Sequence, residues 1–199
     1  STTLDLNSSG YPFKITLMTI TPPPISDTDI KAVRKYTEDV FAEALENLSG
    51  LVSIPGIAWE AFDASELDRS ADAVAGLLRE TEVFETVEIL RSPTPQGPMG
   101  APAVVATRKA RNSRPTFLLY AHHDVQPPGA DELWESEPFK TEIRNGRMYG
   151  RGAADDKAGV IAHVYSIKAL RELTQNDFDL GLVVFIEGEE EAGSPSFAN

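Results

Sequence analysis

TFLLYAHHDVQP, Thr116 to Pro127, is the stretch whose reading decides the fold. Its apolar run Phe117-Leu118-Leu119-Tyr120 ends abruptly in His122-His123-Asp124. A second stretch, VVFIEGEEEAGS from Val183 to Ser194, is built the same way. There Leu182-Val183-Val184-Phe185-Ile186 runs into Glu187-Gly188-Glu189-Glu190-Glu191. Short apolar runs bounded by polar breakers read as buried strands of a parallel sheet. In open α/β sheets, sites form outside the carboxyl ends of such strands. Two separate strands are therefore expected to deliver His and carboxylates to one rim. Between them, GRMYGRGAADDK (Gly146 to Lys157) closes on Asp155-Asp156, just ahead of a helical pattern.

Outward from these strands, the chain alternates helix and strand signals. Ser26 to Asp29 offer N-cap oxygens, and apolar residues recur at Val33, Tyr36, Val40, Phe41, Ala44, Leu45, Leu48 and Leu51. That spacing predicts an amphipathic helix, ended by Ser53-Ile54-Pro55-Gly56. A second helix is predicted over 65–80, with Leu67, Ala71, Val74, Leu77 and Leu78 inward. Val83 to Leu90 alternates as a half-exposed strand, Ser92 to Pro102 is a Pro/Gly-rich loop, and Ala103 to Thr107 is a short strand. Asp156 to Leu173 reads as a helix on Val160, Val164, Ile167 and Leu170, and Leu180 to Glu187 as the next strand. Ser194-Pro195 looks like the start of a further helix. The expected class is α/β: a mixed, mostly parallel sheet sandwiched by helices. Residues 1–25 read as an irregular arm and 26–199 as the α/β domain. Because the chain stops as an element begins, it is expected to be a piece of a longer polypeptide.

Composition narrows the function. Apolar residues make up 41% and charged residues 25%, the balance of a soluble globular domain. A formal net charge of −13 argues against nucleic acid and anionic membrane surfaces, which need a basic stripe. No apolar run approaches the roughly 18 residues of a membrane span. Cysteine is absent, so any metal must sit on His, Asp and Glu. The lack of disulfides suits a cytoplasmic protein.

Taken singly, the polar clusters are ambiguous. His122 and Asp124 form H-x-D at a strand end, where residues i and i+2 share a side. The carboxylate can then orient a metal-binding imidazole, or the pair can simply occupy a polar loop. His123 points the other way. Asp155-Asp156 can be plain helix capping. Three consecutive glutamates repel unless a cation sits among them, and a solvated acidic loop is the other reading. His163, on the third helix, reads as a partner of nearby polar groups. Together the clusters read as a site for two divalent ions bridged by a carboxylate. Donor sets of N and O without S suit Zn²⁺, and also accommodate Mn²⁺ or Co²⁺.

YAHHDVQP (Tyr120–Pro127), WESEPF (Trp134–Phe139), NGRMYGRGAADDKAG (Asn145–Gly159) and EGEEEAGS (Glu187–Ser194) stand in an order and spacing that resemble a known family. It is that of the co-catalytic two-zinc peptidases, which includes carnosinase, cytosolic dipeptidase, aminoacylase and carboxypeptidase G. The resemblance runs from about Ile30 onward. It implies that His122 is a ligand of one zinc, with Asp124 behind it, and that Asp155 bridges both zincs, with a cis peptide bond to Asp156. It implies Glu190 as the general base and Glu191 as a ligand of the other zinc. The frame of the acidic run is a choice, and a slip by one would make Glu189 the base.

The resemblance further implies hydrolysis of the amide bond of dipeptides or small peptides, with deacylation of N-acyl amino acids as the runner-up. A non-catalytic truncated module is the alternative from outside enzymes. The family uses a homodimer, a lid domain and two more ligands, an Asp and a His. No Asp or His follows Asp179 here, so each zinc would keep two of its three protein ligands. The 199-residue chain alone is expected to be inactive.

Overall fold

The computed structural model describes residues 26–197, together with the backbone of strands β1 (Thr2–Leu4) and β2 (Ile15–Leu17), which pair antiparallel. To that extent the arm expected to be irregular carries a β-ladder, favoured by its Thr and Ile residues. The rest of that expectation lies outside the described residues.

Ser26 caps helix α1 (Asp27–Val52) because its hydroxyl accepts the Asp29 backbone N–H while the Asp29 carboxylate reaches back, closing a capping box. Helix α2 (Ser65–Glu80) has the predicted bounds and buries Leu67, Ala71, Val74 and Leu78. Strands β3 (Thr86–Leu90), β4 (Ala103–Arg108) and β5 (Thr116–His122) follow, then the short hairpin β6 (Glu142–Arg144) and β7 (Arg147–Tyr149). Helix α3 (Lys157–Thr174) and strand β8 (Gly181–Glu187) complete the regular elements. Ser194-Pro195 opens a turn that extends to Phe197. Among the described residues no helix is long and apolar enough to cross a membrane.

The main sheet has the order β3-β4-β8-β5. It is mixed, as expected: β4 runs against both neighbours, while β8 and β5 are parallel. Three of the four strands therefore share one direction. The pleat sends Val104, Ala106, Ala121, Leu182, Val184 and Ile186 to one face, where they form a single core with Leu48, Leu51 and Val52 of α1, Val74 and Leu78 of α2, and Val160 and Val164 of α3. All three helices thus lie on that face. The opposite face carries Leu118, Tyr120, Val105 and Phe185, and no described helix covers it; Leu118 is 66% exposed. Of the expected sandwich, one helical layer is present.

The register of the parallel pair positions the site. His122 stands beside Glu187 at the carboxyl ends of β5 and β8, so the residues after each strand emerge on one rim. The backbone there is tightly packed. A Cβ on Gly188 would lie 2.2 Å from the Pro102 carbonyl and 2.7 Å from His123 Nε2, so only glycine fits.

Candidate metal centre

Three segments meet at this rim: the end of β5, the turn before α3, and the one-turn 3-10 helix Glu190–Ala192 after β8. His122, Asp155 and Glu191 each place one donor atom within 4.8 Å of the others. His122 Nε2 is 3.1 Å from Asp155 Oδ1 and 3.8 Å from Glu190 Oε2. The His122 ring is buried, whereas the Asp155 side chain is 78% exposed and that of Glu190 46%. A solvent-facing mouth over a fixed imidazole can admit a cation and a small substrate. The Asp155–Asp156 peptide bond is cis.

Asp124 is completely buried and does more than face the imidazole. Its carboxylate accepts the backbone N–H of Glu190 (3.2 Å) and of Glu191 (3.0 Å). His122 Nδ1–H donates to the Asp124 backbone carbonyl at 3.1 Å, with the carboxylate Oδ1 slightly further off at 3.4 Å. One residue therefore ties the His122 ring to the turn that carries Glu190 and Glu191. With Nδ1 engaged, Nε2 is the nitrogen left for a cation.

Burial pushes the His122 pKa down, but the Asp124 carboxylate and carbonyl, helped by Glu190, more than offset it and hold the ring at about 9. At neutral pH a cation must therefore displace a proton from Nε2. His123 behaves oppositely. It is fully buried, its Nε2–H donates to the Pro102 carbonyl at 2.8 Å, and burial lowers its pKa to about 4. It stays neutral and points away from the cluster. His163 donates to the Tyr120 carbonyl at 2.8 Å, also away from the cluster.

Glu189 is spoken for. One carboxylate oxygen accepts the Ala101 N–H at 2.9 Å; the other takes the Ser196 N–H at 2.7 Å and the Ser196 hydroxyl. Of the three glutamates it is the one turned into the structure, which bears on the frame left open by the repeated Glu.

Lys157 carried no role in the sequence reading, although it sits inside a quoted motif. It is fully buried, and its ammonium donates to the Leu51 carbonyl (2.7 Å) and the Ile54 carbonyl (2.6 Å) at the end of α1. Burial lowers its pKa to about 8, against the pull of Asp124 and Glu66. The turn bearing Asp155 is thereby fastened to a second helix. The available signal was a lysine directly after the acidic pair, in a tract otherwise small and apolar.

With this geometry in view, the likeness to known proteins is specific. Residues 118–199 match the model of peptidase family M20/M25/M40. Over that stretch the chain is similar to part of an M20/M25/M40 peptidase domain. A cysteinylglycine-S-conjugate dipeptidase of Corynebacterium striatum is 37% identical over 107 residues, 54% of this chain and 22% of that protein. A Cys-Gly metallodipeptidase of Schizosaccharomyces pombe is 45% identical over 83 residues, 41% of this chain and 17% of that one. The crystal structure of human carnosine dipeptidase 1 superposes with a TM-score of 0.74 and 28% identity, covering 84% of this chain and 36% of that chain. The fold likeness thus reaches well upstream of the M20/M25/M40 match. The aligned stretches span about a fifth of the length of the curated relatives.

Proposed function

We propose that this chain is the metal-binding part of a dizinc dipeptidase, which hydrolyses the amide bond of dipeptides or small peptides in the full-length protein. The observation that supports it is the meeting of His122, Asp155 and Glu191 from three separate segments within 4.8 Å, with the Glu190 carboxylate beside them. The donor set fits the ions: one imidazole nitrogen and carboxylate oxygens, no sulfur, with Nε2 held facing the carboxylates.

In this reading His122 and Asp155 would hold one Zn²⁺, and Asp155 and Glu191 the other. Bound there, the ions would supply Lewis acidity toward the amide carbonyl and an attacking water. Glu190, left out of the ligand group, would be the general base that takes a proton from the attacking water and returns it to the leaving amine. Asp124 fixes the relative placement of base and ligands by gripping the amides of Glu190 and Glu191 and the ring of His122 at once. The remaining ligand for each ion comes from protein outside the described residues, either more of the same polypeptide or a second copy in a homodimer. The absence of cysteine suits the cytoplasmic setting proposed with it.

The test is hydrolysis of Cys-Gly and of β-Ala-His by the protein at its natural length, with Zn²⁺, Mn²⁺ or Co²⁺ restored after chelation. Metal-dependent turnover with about two ions per chain is expected. A natural-length protein that binds no divalent ion and cleaves neither dipeptide would refute the proposal.

A further inference from the structure

We propose that Gln126 is a positioning residue that presents the Glu191 carboxylate to its cation, an inference that rests on the metal-centre reading above. The Gln126 amide Nε2 donates twice to the same residue: to Glu191 Oε2 at 2.7 Å and to the Glu191 backbone carbonyl at 3.1 Å. A single planar amide thus fixes both the turn and the rotamer. Two residues earlier, Asp124 takes the Glu191 backbone N–H. Asp124 and Gln126 together hold the Glu191 backbone at its N–H and its carbonyl, and among the described residues Gln126 is the one that hydrogen-bonds its side chain. A neutral donor suits this task. It consumes one carboxylate lone pair and none of the charge, whereas a lysine here would compete with the cation and a glutamate would repel its neighbour.

The holder is itself held. Val125 N–H donates to the Gly56 carbonyl at 3.0 Å, Pro127 and Pro128 stiffen the next step, and their carbonyls accept from Arg151 (3.3 Å) and from the Trp134 indole (2.9 Å). The Arg151 guanidinium lies 5.5 Å from the Trp134 ring centroid. The tryptophan of WESEPF and the arginine of the Gly-rich turn therefore act as a brace for Gln126. Partners one step behind a ligand typically set metal affinity by about 10–100-fold.

The experiment uses the natural-length protein with Gln126→Met, which keeps length but cannot donate, and Gln126→Lys, which can donate but carries charge. Two quantities are read: amide hydrogen exchange of residues 190–193 under chelator, and Co²⁺ affinity by competition with a chelating dye. Gln126→Met is expected to speed exchange in the turn and to weaken Co²⁺ about 10–100-fold. Gln126→Lys is expected to keep the turn protected while still weakening Co²⁺. Unchanged affinity in Gln126→Met, with or without faster exchange, overturns the proposal, as does wild-type affinity in Gln126→Lys. A wild-type protein that takes up no Co²⁺ removes the metal-centre reading and the cation half of this proposal together. It is told apart because the exchange comparison is made without metal.

Discussion

Replacing Asp124 by Asn should collapse the basicity of His122. The carboxylate lies 3.4 Å from Nδ1 and is completely buried. At an effective dielectric of about 20, a charge pair at that distance interacts by about 5 kcal/mol, enough to dominate the titration. In the native site burial pulls the His122 pKa down while Asp124, then Glu190, hold it at about 9. Without the Asp124 charge, burial is opposed only by the backbone carbonyl and Glu190, and the pKa falls toward the ordinary 6.5. A drop of that size is worth about 3 kcal/mol at 1.36 kcal/mol per unit. The sign for stability follows. A raised pKa contributes stability that is complete below pH 6.5 and is lost as the pH climbs to about 9. The variant loses that contribution. The assay is NMR of the imidazole ring protons against pH under chelator, with three histidines to assign. Cation binding gives a second reading: native apparent affinity should rise about tenfold per pH unit from neutrality to about pH 9, and the variant's should flatten above about 6.5. A His122 that still titrates near 9 in Asp124→Asn would refute the reasoning.

Glu190→Gln in the natural-length protein should keep its bound metal and lose about 10²–10⁴-fold in kcat; near-native kcat would remove Glu190 as the base. Asp155→Ala should empty both ion sites together, measured as metal per chain by plasma emission, and loss of one ion alone would contradict a bridging carboxylate. His123 predicts an acid-side slope: its folded pKa of about 4 against 6.5 means that stability is lost as the pH falls from 6.5 to 4, by up to about 3 kcal/mol. Thermal denaturation across that range should show the slope reduced in His123→Leu, with metal binding little changed, and an undiminished slope would assign it elsewhere.

Much of the fold was legible because periodicity and burial agree. The 3.6-residue spacing of Leu67, Ala71, Val74 and Leu78 gave α2 its bounds, and the apolar runs of β5 and β8 gave the rim. Other features depend on partners that sequence order does not name. The β6–β7 hairpin went unread although Asn145-Gly146, both at positive φ, is the usual signal for a two-residue turn. Its strands are three residues long, too short to show a period. Identical side chains in Glu189-Glu190-Glu191 cannot be told apart by type; they differ only in what they touch, and Glu189 touches Ala101 and Ser196. The approach of His122 to Asp155 and Glu191 was inferred from strand ends and family likeness, whereas the grip of Asp124 on two backbone amides leaves no trace in composition. Lys157 hid for a similar reason, since its acceptors are backbone carbonyls more than 100 residues away.

Among the described residues the sheet is covered on one side only, and this shapes how the isolated chain behaves in a tube. Leu118 and Tyr120 stand open to water beside Phe185, and β5 closes the order β3-β4-β8-β5 without a further described partner on its outer edge. An apolar face joined to an unpaired edge invites strand-to-strand and face-to-face stacking between copies. Self-association of the 199-residue chain should therefore grow with concentration and salt and yield to Leu118→Lys. Such stacking is a different thing from the homodimer proposed above, so particle size alone is a poor guide to whether a working assembly has formed.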